Sequence, residues 1–234
     1  MLENREFSAL KEVLQRTKTL TFDCYGTLID WSAGLTRSLS AIFGPQVAKR
    51  GQEWFDAYVR AEAEAESGPY RSYRDILALV TERLARQFNL SLPAEAKCKL
   101  AELLPGWAPF SDTNDALARL KKRFRLGVLS NIDKDLFEGT AKLLGTRFDF
   151  VVTAQDVGSY KPAHGHFERL RDSHGELDRA LHVAQSLYHD GAPAADLGLA
   201  FVWINRYKEA NRTDVRPLAE FTDLGSFAEA ACKA

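Results

Sequence analysis

The chain has 234 residues, 45% hydrophobic and 27% charged, an ordinary globular composition with enough length for a sizeable core. A formal net charge of −1 and the lack of any long basic run exclude a general nucleic-acid binder. No apolar stretch approaches a membrane span, the opening residues lack the apolar core of a secretion signal, and Cys24, Cys98 and Cys232 lie too far apart for a disulfide framework or a zinc site; a cytoplasmic protein is expected.

In chain order, the first strand signal is the apolar run Leu20-Thr21-Phe22, closed by Asp23 and followed by Cys24-Tyr25-Gly26-Thr27-Leu28. The stretch from Trp31 to Trp107 carries no strand pattern. It has helical spacing over 33–43, 46–66, 73–88 and 93–104, punctuated by Gly44, Gly68-Pro69 and Leu92-Pro93. Within it, the Ala/Glu alternation over 61–66 reads as a solvated helix face. Strands and helices then alternate: strand 125–130, helix 135–144 stopped by Gly145, strand 148–153, helix 164–172, strand 180–185, helix 192–197 and strand 199–204. That rhythm predicts an α/β fold: a doubly wound, Rossmann-like parallel sheet core, residues 1–31 and 108–234, with an inserted helical-bundle cap, residues 32–107.

Four polar segments fall at predicted strand C-termini: Asp23 to Thr27, Ser130-Asn131, Ser159-Tyr160-Lys161-Pro162, and Gln185-Ser186 running on to His189-Asp190. Parallel strands gather those ends at one edge of the sheet, where open α/β folds bind ligands. In this order the segments resemble the motifs of the haloacid dehalogenase-like superfamily. The Asp-x-Tyr-Gly-Thr-Leu opening with helices behind it looks like the type II (S)-2-haloacid dehalogenases.

That resemblance implies Asp23 as the nucleophile, Lys161 as the cation beside it, and Asp190 as the acid of the last motif. Phosphatases of the superfamily carry a second Asp where this chain has Tyr25, whose pKa of about 10 makes it a poor proton donor at neutral pH. Gln185 stands where a metal-binding Asp would, which argues against a metal and leaves no cofactor implied. Displacement at saturated carbon needs neither group. Asp23 would attack C2 of a short 2-substituted carboxylic acid to form an ester, which water then cleaves with Asp190 as base and Ser186 or His189 orienting it.

Backbone groups around Tyr25 and Gly26, with Ser130 and Asn131, are expected to hold the substrate carboxylate, while Thr27 either caps the turn or joins them. The type II enzymes use a cap arginine near the departing halide; Arg60 is the better candidate and Arg37 the other. Trp31 and Trp54 are expected to pack the cap, with Trp31 also able to reach substrate. His164, His166, His174 and His182 show no ligand spacing and read as structural. Alternation along the strand turns Cys24 away from Asp23.

The segments 21–31 and 153–162 also look much like L-azetidine-2-carboxylate hydrolase, which opens a ring C–N bond by related chemistry. The leaving group therefore stays open between halide and ring amine, with a magnesium-dependent phosphatase as the distant alternative. The expected partners are a small carboxylic acid and water, with no nucleic acid and no membrane, and the aromatic-rich cap leaves a homodimer open.

Overall fold

A computed structural model describes residues 2–174 and 179–234. Helix α1 (Leu2–Arg16) leads into strand β1 (Thr19–Phe22). Helices α2 (Trp31–Phe43), α3 (Gln46–Lys49), α4 (Gly51–Glu66), α5 (Tyr73–Gln87) and α6 (Lys99–Leu103) follow before any second strand. Then come α7 (Thr113–Leu120), β2 (Arg125–Ser130), α8 (Lys134–Ala141), β3 (Phe150–Thr153), α9 (Ala154–Val157), α10 (Gly165–His174), β4 (Ala180–Ala184), α11 (Ala192–Asp196), β5 (Ala200–Ile204), β6 (Ala219–Phe221) and α12 (Leu224–Lys233).

The six strands form one parallel sheet in the order β3-β2-β1-β4-β5-β6. The α/β fold and the five strands anticipated from the sequence are therefore present. β6 is an unanticipated edge strand, since three half-exposed residues give no apolar run. Helices α1, α7 and α12 were likewise unanticipated. Residues 46–66, expected as one helix, divide at Arg50 into α3 and α4.

β1 lies between β2 and β4, with Thr21 beside Gly127 on one side and His182 on the other. Strands β1 and β4 are almost wholly buried, so their residues are apolar or hydrogen-bonded. Gly127 is required by packing: a Cβ there would sit 2.2 Å from the Phe150 ring. Leu129, Val152, Phe167 and Phe201 belong to one buried cluster, each such side chain stabilising the fold by roughly 1.5–3 kcal/mol.

The chain divides into two compact units. The sheet unit contains the chain up to Ile29, Pro109–Asn131 and the chain from Leu144. The second unit contains Asp30–Ala108 together with Ile132–Leu143, so α8 groups with the inserted helices. Asp133, just before α8, accepts hydrogen bonds from the backbone N–H groups of Tyr73 and Arg74 at the start of α5, both at 2.9 Å. Gly34 of α2 lies against Trp107, whose indole N–H donates to Ser38 at 2.8 Å.

The aromatic residues of this unit largely face one another: Trp54 lies between Phe43 (5.0 Å between centroids) and a stacked Phe88 (3.9 Å). Aromatic content alone therefore gives no dimer face. The Ala/Glu run is not a solvated face throughout either. Ala61 and Ala65 are buried, and Glu62 accepts hydrogen bonds from the hydroxyls of Tyr58 (2.7 Å) and Tyr73 (2.6 Å). Residues 58, 61, 62 and 65 share the inward face of α4 by i, i+3 and i+4 spacing.

Candidate active site

Asp23 follows β1 directly, and its backbone N–H donates to the Val183 carbonyl of β4 at 3.3 Å. The register thus carries its side chain to the C-terminal edge of the sheet. Lys161, from the loop between α9 and α10, reaches the same point. Its ammonium donates to Asp23 Oδ1 (2.9 Å), Asp190 Oδ1 (2.5 Å) and the Leu129 carbonyl (2.8 Å), which uses all three protons. The Lys161 and Asp190 side chains are each 1% exposed, whereas Asp23 is 12% exposed, so of the two carboxylates Asp23 is the accessible one.

Burial pushes the Asp23 carboxyl above its ordinary pKa, against the pull of Lys161. Asp190 behaves oppositely. Burial would raise it, but Lys161 and His182 outweigh that and hold it well below the usual carboxylate range. Burial opposes the Lys161 charge, and the carboxylates of Asp190 and Asp23 overcome it and keep the ammonium above its ordinary value. Asp190, expected from sequence as the base, is thus held as an anion by two hydrogen-bond donors.

Two residues expected to touch substrate are hydrogen-bonded to members of this triad. The Thr27 hydroxyl donates to Asp23 Oδ2 (2.9 Å) and accepts from the Gln185 N–H (3.0 Å), so its only proton is already used. Asn131 accepts from the Lys161 N–H (2.7 Å) and donates to the Lys161 carbonyl (3.0 Å), fixing the lysine loop by both ends of one amide. The Ser130 hydroxyl, at the end of β2, is buried with no hydrogen-bond partner.

The Ser186 hydroxyl accepts from the His189 N–H (3.0 Å) and pairs with His189 Nδ1 (3.2 Å), and no bond to Asp190 Oδ2 is formed. Tyr25 is half-buried in the turn that Gly26, at φ 95°, makes possible. Cys24 is buried, as alternation predicted, and burial with Asp23 nearby pushes its thiol well up.

Three supporting residues escaped the sequence reading of the site. Arg206 donates to the Thr27 carbonyl from Nε (3.0 Å) and Nη2 (2.8 Å), to Asp112 from Nη1 (3.0 Å), and lies 3.8 Å over the Phe110 ring. It follows β5 and carries no local signal. His182, opposite Thr21 in the sheet, bonds Asp190 Oδ1 from Nε2 at 2.9 Å. His166 bonds the Ser130 carbonyl from Nε2 at 3.1 Å. Burial and the nearby Lys161 charge lower the His166 pKa to about 3. Both histidines are buried within the sheet unit; His164 is half-buried beside Asp196, and the His174 side chain lies outside the described residues.

In the second unit, Trp31 is half-buried and packs edge-on against Phe55 (4.8 Å) and Tyr58 (6.1 Å). Arg60 and Arg37 are both exposed. Arg60 lies about 200° around α4 from Tyr58, so the unit's aromatic cluster does not include it.

A divalent cation fits this donor set poorly. Asp190 Oδ1 already carries Lys161 and His182, and the Gln185 amide donates to Glu209 at 3.1 Å. Among the described residues no group of three or more His, Cys, Asp or Glu is arranged to hold a metal ion.

Residues 17–198 match the model of a hydrolase family described as haloacid dehalogenase-like hydrolase. The chain is 28% identical to an (S)-2-haloacid dehalogenase of Pseudomonas sp. (strain YL) over 225 residues, covering 91% of this chain and 93% of that one. Its fold is similar to that of an L-2-haloacid dehalogenase from Xanthobacter autotrophicus with chloropropionic acid covalently bound, at TM-score 0.76 and 18% identity, covering 91% of this chain and 97% of that one. It is similar too to a HAD-hydrolase from Bacillus subtilis bound to magnesium, at TM-score 0.77 and 18% identity, with 92% and 99% covered.

Proposed function

This chain belongs to the haloacid dehalogenase-like hydrolases, and from that premise we propose that it hydrolyses short 2-substituted carboxylic acids, (S)-2-haloacids first, through an ester on Asp23 and without a metal. The observation that carries the reading is the buried triad in which Lys161 joins two carboxylates and only Asp23 is open to a reactant. The (S)-2-haloacid dehalogenase relative, and the chloropropionic acid held covalently in a protein of the same fold, support it.

In the first step an Asp23 oxygen attacks C2, the carbon–halogen bond breaks from the opposite side, and halide leaves as a stable anion needing no proton. Inversion makes the product the (R)-2-hydroxy acid. Ser130, whose hydroxyl has no partner, is the donor for the substrate carboxylate, with Lys161 favouring the ionised form of Asp23; the Gly26 N–H expected to join it is taken by the Ile29 carbonyl at 2.9 Å. In the second step water adds to the Asp23 acyl carbon. One water proton passes to the departing alkoxide, the hydroxyl stays on Asp23, and the regenerated carboxyl releases its proton to solvent. Asp190 Oδ2 is the acceptor that orients this water, with Ser186 as an auxiliary donor.

We read residues 32–107 as a cap inserted in the core, and the compartment as the cytoplasm, which suits three free cysteines. A homodimer is compatible with this reading and is checked by light scattering.

A second reading, opening of L-azetidine-2-carboxylate through the same aspartyl ester, rests on the resemblance of segments 21–31 and 153–162.

The test is single turnover in 18O water with (S)-2-chloropropionate, followed by the mass of the Asp23 peptide. One 18O atom in Asp23, and loss of turnover in Asp23→Asn, are expected. Chloride release with no action on L-azetidine-2-carboxylate selects the first reading, and the reverse selects the second. Activity on p-nitrophenyl phosphate that requires magnesium overturns both.

A further inference from the structure

Asp190 is buried and ionised, yet both of its hydrogen bonds fall on one oxygen. Oδ1 accepts from Lys161 Nζ at 2.5 Å and from His182 Nε2 at 2.9 Å, while no protein group bonds Oδ2. An unpartnered oxygen on a buried carboxylate is destabilising unless something fills it during turnover. What prevents the carboxylate from rotating to share its two donors between its two oxygens is therefore important.

His182 answers this. An ionised carboxylate only accepts, so His182 Nε2 is the donor to Oδ1. The other ring nitrogen, Nδ1, is hydrogen-bonded to Thr21 Oγ1 at 2.8 Å. Thr21 and His182 are register partners on adjacent strands, so this pair is set by the sheet itself. The Phe167 ring meets the imidazole edge-on at 5.2 Å, and His182 is wholly buried. The charged neighbours that face Asp190 are Lys161 and, through Lys161, Asp23.

We propose that Thr21 and His182 are positioning residues for the second half-reaction: they fix Asp190 so that Oδ2 is held free for the hydrolytic water. The inference rests on the Asp23-ester reading above. It divides the site by step. Lys161 and Thr27 touch Asp23 and serve ester formation, whereas His182 touches only Asp190 and serves ester cleavage.

Rapid-quench single turnover of the full chain with (S)-2-chloropropionate tests it, with intact mass reporting the ester on Asp23. In His182→Phe, ester formation should stay within about threefold of the parent while cleavage slows tenfold or more, so the ester accumulates. Thr21→Val, which removes the hydrogen bond to Nδ1 and keeps the shape, should shift the same partition in the same direction by a smaller factor. His182→Gln, which keeps an N–H donor, should restore part of the cleavage rate. Equal slowing of both steps in the soluble, folded variants, or no change in either, overturns the proposal. If the parent protein never carries an ester on any of the probe acids, the functional reading itself fails, and this inference with it.

Discussion

At the scale of single residues, the site is governed by the distribution of one positive charge between two buried carboxylates. Lys161 lowers the Asp23 pKa that burial raises. The attacking group must be ionised, so the acid limb of kcat/KM should lie above the ordinary aspartate range of about 4. Lys161→Met should move that limb to still higher pH, because the ammonium beside Asp23 is gone, and should lower kcat by about 100-fold or more. A pH–rate series of the two proteins measures both effects. Chemical denaturation of the same variant should show a loss of roughly 3–5 kcal/mol, the usual result of leaving buried charge without its partner. An acid limb that stays in place would remove Lys161 from the role of keeping Asp23 ionised.

Among the elements, the second unit is held by junctions that helical periodicity does not encode. Asp133 caps α5 although 60 residues separate it from Tyr73. Removing that carboxylate leaves two N–H groups at a helix start without an acceptor. Asp133→Ala should therefore cost about 2 kcal/mol in urea denaturation, and Asp133→Asn, with one accepting oxygen, about half as much. Gly34→Ala tests the other junction. A Cβ there would lie 2.4 Å from Trp107, whose side chain is tied to Ser38, so a loss of about 1–3 kcal/mol is expected. Helices α2, α4 and α5 were legible because each has an apolar stripe over several turns. The division at Arg50 and the grouping of α8 with this unit were not, since long-range contacts decide them.

For the whole molecule, pH dependence of stability reports how deeply the sheet unit buries its polar groups. His166 titrates at about 3 in the folded chain and near 6.5 when unfolded. Its folded pKa is depressed, so the unfolded chain binds the proton first. Its contribution is fully present above about pH 6.5 and drains away as pH falls toward 3. The urea midpoint should drop steadily through that window, and His166→Gln, which keeps an N–H donor toward Ser130, should flatten the slope there. Asp23 acts in the opposite sense, since its raised pKa makes its ionised form unfavourable and acidification relieves that. A midpoint unchanged between pH 6.5 and 4 would mean that His166 is protonated in the native state.

The order of strand-end motifs gave the α/β architecture, the family and the members of the triad, because parallel strands bring their C-terminal ends together whatever the loops between them do. The family resemblance those motifs carry then picks out Asp23, Lys161 and Asp190. Only the tertiary structure decided how they are held. Hydrogen bonding and burial are set by neighbours distant in the chain, and these tie Thr27 to Asp23 and Asn131 to the Lys161 backbone, keep Asp190 anionic, and bring in His182 and Arg206, which no local pattern marks.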